Sequence, residues 1–384
     1  MKITEIDTYI VGAGWRNLVF VKVNTDTGIT GIGEASLRGK EDAVVAVLHM
    51  LEKRHLLGWD PFDTERMLYQ IYRDDFDRGG PVLTTALSAV EIACWDIIGK
   101  SCGQPVYKLL GGRCHDKIRM YANGWYGMAK TPEEFAARAK TVVEKGYTAM
   151  KVDPFGLMDR EGSTRDIAYS IQIVEAVRKA IGDDVDLIIE AHGRFGVRTA
   201  IDVGRRLEPS RPLWYEEPLP PENLDALAKV RAHINIPISA GERCYNKFAF
   251  NDLLNRQIVE VLQPDLIHMG GFLEAKKIAA MADAQHVTVC PHNCDGPVLT
   301  AASIHLDFCT NNVLMQEAFV DFDVPWMPRM VDHPVQIVNG YVEAPEAPGL
   351  GMDLNTELFE DFDLSDNTYS CWNGDWASKL TSTS

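Results

Sequence analysis

Asp186-Leu187-Ile188-Ile189-Glu190, Leu213-Trp214-Tyr215-Glu216 and Ile236-Pro237-Ile238-Ser239-Ala240-Gly241-Glu242 are short apolar runs, each closed by a glutamate. Successive glutamates are 26 residues apart. One strand, one helix and two loops of a (β/α)8 barrel take up about that length. The spacing therefore predicts neighbouring parallel strands whose carboxyl ends meet at one mouth. Three carboxylates gathered there repel one another unless a cation lies among them. Oxygen ligands of this kind favour a hard divalent ion, Mg2+ first. Any one of these glutamates alone is more readily an ordinary polar residue at a strand end, so it is the repeat that points to metal binding by Glu190, Glu216 and Glu242.

The rhythm continues on both sides. Thr148-Ala149-Met150-Lys151 ends 39 residues before Glu190, and the excess fits a long loop from Asp153 to Thr164. The run from Val259 ends at Asp265, 23 residues after Glu242; the next ends at His292, 27 further on; the next at Glu317, 25 further on. With Ile118-Arg119-Met120-Tyr121 as the first, this gives eight strands. Seven end in an ionisable residue, at the barrel face where such folds place active sites. The fold class is thus α/β, a (β/α)8-type barrel over residues 116–329. Thr131-Pro132-Glu133-Glu134 marks one of its helix starts.

Residues 1–115 do not share the rhythm. Strand patterns at 1–11, 17–23 and 30–35 precede helical patterns at 41–54, 61–73 and 81–103, which predicts a separate α+β capping domain. Residues 330–384 are expected to complete it. Within them, Val335 to Glu343 reads as a hairpin whose Asn339-Gly340 pair suits a type I′ turn. The polar tail is expected to fray over its last six residues.

Composition narrows the classes. The chain has 384 residues, 46% of them hydrophobic and 24% charged, with a net charge of −17. That charge argues against nucleic acid or an anionic membrane as partner. It leaves an anionic small molecule open, because the field in one pocket can oppose the overall sign. No signal peptide and no 18-residue apolar span is evident. Eight scattered cysteines fit reduced thiols in a cytoplasm. Cys290 and Cys294 bracket His292 at the wrong spacing for a zinc pair. Gly12-Ala13-Gly14 lacks the third glycine of a dinucleotide loop.

Chemistry then concentrates at the strand ends. Asp265 and His292 close successive strands, and a carboxylate beside a histidine fixes its tautomer and makes it a stronger base. The plainer reading is a loop histidine near an unrelated aspartate. His192 lies two residues past Glu190, still at the mouth. Lys151 would be a buried cation near the metal, or a strand-end lysine reaching solvent. Asp153 is either its partner or a turn residue. Glu217 points away from Glu216 and suits a supporting role.

The order Lys151, Glu190, Glu216, Glu242, Asp265, His292, Glu317 behind an α+β cap resembles the mandelate racemase subgroup of the enolase superfamily. So do Trp214-Tyr215-Glu216-Glu217-Pro218, Gln263-Pro264-Asp265 and Pro348-Gly349-Leu350-Gly351. The superfamily is known for pairing a lysine or histidine base with Mg2+. Tyr121-Ala122-Asn123-Gly124-Trp125-Tyr126 and Glu190-Ala191-His192-Gly193-Arg194 are similar to the branch containing arabinonate, gluconate and galactonate dehydratases. The resemblance implies a Mg2+-dependent acid-sugar dehydratase working through an enediolate, with His292 as base, His192 as acid, Lys151 stabilising charge and Glu317 bonded to the substrate carboxylate. Asp153 stands where racemases of this group carry a second lysine, which disfavours proton transfer on both faces. The rivals are a racemase, epimerase or cycloisomerase on the same scaffold, and a non-catalytic binding protein. Trp15, Arg16, Tyr126 and Asp153 are expected to touch substrate, with the loops at 12–17 and 36–40 closing the mouth; the plainer reading of these loops and of Tyr126 is surface packing. The family also tends to homo-oligomers.

Overall fold

The computed structural model describes residues 1–366, so the expected fraying of the last six residues lies outside them. The chain opens with an antiparallel sheet of β1 (Ile3–Ala13), β2 (Arg16–Thr25) and β3 (Gly31–Glu34). Its β1–β2 register runs to Ala13↔Arg16, which makes Gly14-Trp15 the hairpin tip. Three helices follow: α1 (Glu41–Leu51), α2 (Thr64–Asp74) and α3 (Gly80–Cys102). One core joins Val19, Val21 and Val23 of the sheet to Leu48, Met67, Leu87, Val90 and Ile97 of the helices. Helix α3 lies so close to β3 that a Cβ on Gly33 would stand 2.1 Å from the Ala89 carbonyl oxygen. Contrary to the sequence expectation, α3 is long and apolar enough to cross a membrane, but 89% of its most apolar stretch is buried inside the protein. The core of this domain absorbs its hydrophobicity.

The short α4 (Val106–Leu109) leads into the barrel. Its strands and helices alternate as β4 (Lys117–Ala122), α5 (Pro132–Glu144), β5 (Ala149–Val152), α6 (Thr164–Ile181), β6 (Asp186–Glu190), α7 (Val197–Leu207), β7 (Tyr215–Glu216) and α8 (Leu224–Arg231). The alternation continues with β8 (Ile238–Ala240), α9 (Asn246–Asn255), β9 (Val261–Leu262), α10 (Leu266–Met269), α11 (Gly271–Asp283), β10 (Thr288–Val289), α12 (Pro297–Phe308) and β11 (Gln316–Ala318). Helix α5 starts as expected: Thr131 Oγ1 accepts from Glu134 N and the Glu134 carboxylate accepts from Thr131 N, a complete capping box.

The parallel strands run in the order β10-β9-β8-β7-β6-β5-β4-β11. A bridge between Val289 and Val313 joins the two ends, so the sheet closes. Among the described residues no α-helix follows β11, and the chain passes into 3-10 turns at Val320–Phe322 and Met327–Met330. The barrel is therefore a modified (β/α)8 form, with an eighth strand that lacks its helix.

The segment after the barrel touches both parts. Asn339 and Gly340 both have positive φ, and Val338 and Tyr341 exchange backbone hydrogen bonds, so the expected turn forms. Its arms do not make a two-stranded ladder: β12 (Tyr341–Glu343) pairs antiparallel with β4 instead. Further on, Leu350 N donates to Asp96 of α3, and Phe359 packs on Tyr9 and Phe20 of the first sheet.

Candidate active site

Strand alternation builds the site. Residues two apart on a strand share a face. Tyr121, Ala149, Ile188, Trp214, Val261, Cys290 and Met315 form one apolar cluster filling the barrel. Two positions beyond five of them, on the same face and one layer higher, stand Lys151, Glu190, Glu216, His292 and Glu317. The eighth-strand closure then sets who faces whom. Glu190 and Glu216 end β6 and β7 and Glu242 follows β8, three consecutive strands, with Glu190 and Glu216 in direct register. His192 follows β6 and His292 follows β10, four strands apart either way round a ring of eight, so they approach from opposite sides.

The three glutamates each offer an oxygen, and these oxygens lie within 4.8 Å of one another. Lys151 Nζ stands 2.7 Å from Glu216, 2.8 Å from Glu317 and 3.5 Å from Glu190. One buried lysine does not neutralise this set. Burial and the repulsion of Glu216 hold the Glu190 carboxyl well above the ordinary carboxylate range. Burial also acts to raise Glu216, but Lys151 and a hydrogen bond to Glu190 outweigh it and bring Glu216 down to about 2. An all-oxygen, under-neutralised set of this size fits a hard divalent cation, and Mg2+ is the cofactor it suits. Gly241 makes the placement of Glu242 possible: its φ is +145°, and a Cβ there would lie 2.9 Å from the backbone of Gln263.

Each histidine has its own aspartate. His292 Nδ1 lies 2.7 Å from Asp265 Oδ2, leaving Nε2 3.4 Å from Glu242. Burial opposes protonation of His292, yet Cys294, Glu242 and Asp265 together hold its pKa well above the ordinary histidine value. His192 Nδ1 lies 2.6 Å from Asp153 Oδ2. Asp153 therefore serves neither Lys151 nor the turn alone. Arg194 also pairs with it, and its other oxygen accepts from Phe155 N at 2.9 Å. Burial acts to raise Asp153, while Arg194 and His192 outweigh it and keep the carboxylate below its usual range. His192 has φ +50° and Glu217 has φ +37°, both left-handed backbone at non-glycine residues. Such conformations cost about 1–3 kcal/mol each and persist where the surroundings over-determine them. Here His192 N donates to Glu190, and Arg243 pairs with the Glu217 carboxylate.

Other expected contacts are placed differently. Glu317 is wholly buried: Oε1 takes Lys151 and Asn123 Nδ2, and Oε2 accepts from Asn293 N at 2.8 Å. Arg16 is wholly buried, bonded to Asp323 at 2.7 Å and to the Asp295 carbonyl at 2.9 Å. Trp15 is buried too, packed on Phe319 under the Arg16 guanidinium. These residues tie the hairpin tip to the barrel loops after β10 and β11. The loop at 36–40 does the same through Arg38, which bonds Asp295 at 3.0 Å and Cys294 Sγ. Tyr126, with Asp153 and His192, lines a cavity of about 570 Å³ beside the mouth. Trp125, expected near the pocket, donates from Nε1 to the Lys151 carbonyl at 2.7 Å.

Asn293, Arg243, Arg38 and His268 carry contacts the sequence reading did not assign. Asn123 sits two residues after Tyr121, on the face of the functional layer, and that spacing was a usable signal. The others gain their partners from distant segments.

The chain matches the family described as mandelate racemase / muconate lactonizing enzyme, N-terminal domain, over residues 6–111, and the enolase C-terminal domain-like family over residues 134–358. It is similar to a D-gluconate/D-galactonate dehydratase of Picrophilus torridus, 37% identical over 367 residues that cover 93% of each chain. It is also 37% identical to a D-galactonate dehydratase of Ralstonia pickettii over 363 residues, again 93% of each. A crystal structure of a mandelate racemase/muconate lactonizing enzyme from Sulfitobacter sp. superposes with a TM-score of 0.91 at 35% identity, covering 96% of both chains. Carboxylates on successive strands under an α+β cap, matched along both parts of the chain, make this protein a member of the enolase superfamily, in its mandelate racemase subgroup.

Proposed function

We propose that this chain is a Mg2+-dependent acid-sugar dehydratase. It removes the C2 proton of an aldonate, passes through an enediolate, expels the 3-hydroxyl and yields a 2-keto-3-deoxy acid. The observation that carries this reading is the pair of aspartate-bound histidines approaching the carboxylate trio from opposite sides. Dehydration needs one base and one acid, each oriented through its other ring nitrogen. Similarity to gluconate and galactonate dehydratases supports the same chemistry.

Glu190, Glu216 and Glu242 would hold Mg2+, which when bound supplies fixed positive charge beside the substrate carboxylate. Asp265 fixes the Nδ1–H tautomer of His292, so Nε2 takes the C2 proton. Lys151, held by Glu216 and Glu317, places a second positive charge where the carboxylate becomes an enediolate. Asp153 holds the Nδ1–H of His192 in the doubly protonated ring, so its Nε2–H delivers a proton to the 3-hydroxyl as the C3–O bond breaks. One water leaves, and the resulting enol takes a proton at C3 and releases the proton of its C2 hydroxyl to become the keto acid. Asp153, occupied by His192 and Arg194, is no second base, which weighs against the racemase reading.

The partner in this reading is a small sugar acid, with neither nucleic acid nor membrane, and the chain is a cytoplasmic homo-oligomer. The net charge of −17 weighs against polyanionic partners, and the unpaired cysteines among the described residues suit a reducing compartment. We divide the chain into a barrel of 116–329 and a cap of 1–115 completed by the C-terminal segment. The test is a screen of acid sugars for 2-keto acid formation with Mg2+. Inversion at C2 without keto acid would point to a racemase, and inertness together with no Mg2+ binding to a non-catalytic protein.

A further inference from the structure

Three residues of α3 grip one barrel segment. Thr85, Ser88 and Glu91 recur every third residue, so they lie along one helix face. All three are fully buried. Thr85 Oγ1 lies 2.9 Å from His268 Nδ1; Ser88 Oγ accepts from Gly270 N at 2.8 Å; Glu91 accepts from Phe272 N and Leu273 N at 2.8 and 3.0 Å. The gripped segment begins at Asp265, the partner of His292. Asp265 also caps the turn containing His268, with Oδ1 accepting from Ile267 N at 3.0 Å.

His268 is buried on that turn with Nε2 3.9 Å from Asp265 Oδ2. The ring also faces Asp295, and ligand-type atoms of Asp265, His268 and Asp295 lie within 4.8 Å of one another. Asp295 Oδ2 is buried and accepts no hydrogen bond. A cation is not what balances this group, because Arg38 and Arg16 already stand 3.0 and 3.4 Å from Asp295 Oδ1. What Asp295 Oδ2 lacks is an N–H donor. If Thr85 donates to His268 Nδ1, the ring proton sits on Nε2 and supplies it.

We propose that His268 is a positioning residue for the catalytic base: Thr85 of the cap fixes its ring, its Nε2–H stands between Asp265 and Asp295, and the Asp265 carboxylate is thereby held on His292. Without that donor the two carboxylates repel one another, and Asp265 turns away from His292 Nδ1. Docking of α3 thus reaches the base through side chains that touch no substrate. The inference rests on the reading of His292 as base.

The test uses the full chain labelled with 15N-histidine, loaded with Mg2+. The Asp265-bound Nδ1–H of His292 gives a low-field proton resonance, assigned by its loss in His292→Asn. It is expected to persist in His268→Gln, whose amide keeps an N–H in place, and to vanish into exchange in His268→Leu. With an acid-sugar substrate, C2 proton exchange in D2O should fall about 10- to 100-fold in His268→Leu, the range for removing a residue that orients a functional histidine. Its KM and Mg2+ affinity should stay near wild type, and His268→Gln should recover most of the rate. An unmoved resonance in His268→Leu overturns the proposal, as does its loss in both variants or its absence from wild type. Should His268→Leu not fold, Thr85→Val carries the same test from the cap side. Failure of wild type to exchange any acid sugar would sink the dehydratase reading while the resonance still decides the role of His268.

Discussion

At the scale of single residues, the site separates roles by which nitrogen or oxygen is already taken. His292 and His192 each spend Nδ1 on an aspartate, which leaves Nε2 for the chemistry. His292→Asn should abolish exchange of the C2 proton with D2O and dehydration with it. His192→Asn should cripple loss of the 3-hydroxyl while exchange continues, because Asp265, Lys151 and the three glutamates are untouched. Either loss should be about 10²- to 10⁴-fold, and NMR in D2O reads both events in one sample. Exchange that survives in the first variant and vanishes in the second would reverse the assignment. The metal reading has its own test. Glu216→Gln removes a charged ligand that Lys151 and Trp214 Nε1 already orient, at 2.7 and 2.9 Å. Calorimetric titration should show Mg2+ affinity down by more than about 100-fold, the upper end for residues that only support a ligand. Stoichiometric, near-normal binding would remove Glu216 from the ligand set.

Among elements, the contact between the cap and the barrel includes buried carboxylates at helix starts. Glu91 accepts from the first residues of α11, and Glu34 of β3 accepts from Gly296 N and Leu299 N at the start of α12. Anions suit helix N-termini, yet burial dominates and lifts Glu91 to about 8 from its ordinary 4.5. Between those pH values the folded chain keeps a proton that the unfolded chain has lost. The stability Glu91 contributes is therefore complete below 4.5 and is lost as pH rises through about 8. Urea midpoints across that window should fall with pH in wild type and fall less steeply in Glu91→Gln. Parallel curves for the two proteins would show that Glu91 keeps its charge in the fold.

On the scale of the whole molecule, the β1–β2 hairpin tip is fastened over the barrel by a buried guanidinium. Arg16 and Asp323 have side chains 0% and 1% exposed, 2.7 Å apart. Burial works against the charge on Arg16, and Asp323 and Asp295 outweigh it to raise its pKa further. Taking away one partner of a buried pair strands the other. Asp323→Ala should cost about 3 kcal/mol in urea denaturation, at the low end for such losses because Asp295 remains. A change within about 0.5 kcal/mol, the range of an ordinary surface substitution, would mean that Arg16 is not held this way. Expected as a substrate contact, Arg16 proves to be an anchor, and the reason lies in the fold: the residue that presents it and the acids that hold it are some 300 positions apart in the chain, at 16, 295 and 323.

The sequence by itself determined the barrel, its functional layer and the acid trio. Those depend on local periodicity: a two-residue alternation within strands and a strand–helix length that repeats, both written in consecutive residues. It also determined the Asp265–His292 pairing, because adjacent strands end at equal height. Only the tertiary structure decided that Asp153 belongs to His192 and Arg194, that Glu317 is walled in by Lys151, Asn123 and Asn293, and that α3 is a core helix despite its apolar length. Each of these turns on which side chains meet across loops of unequal length, and on how deeply the meeting is buried. Hydrogen bonds and ion pairs hold only within about 3–4 Å, a tolerance that spacing along a chain does not resolve.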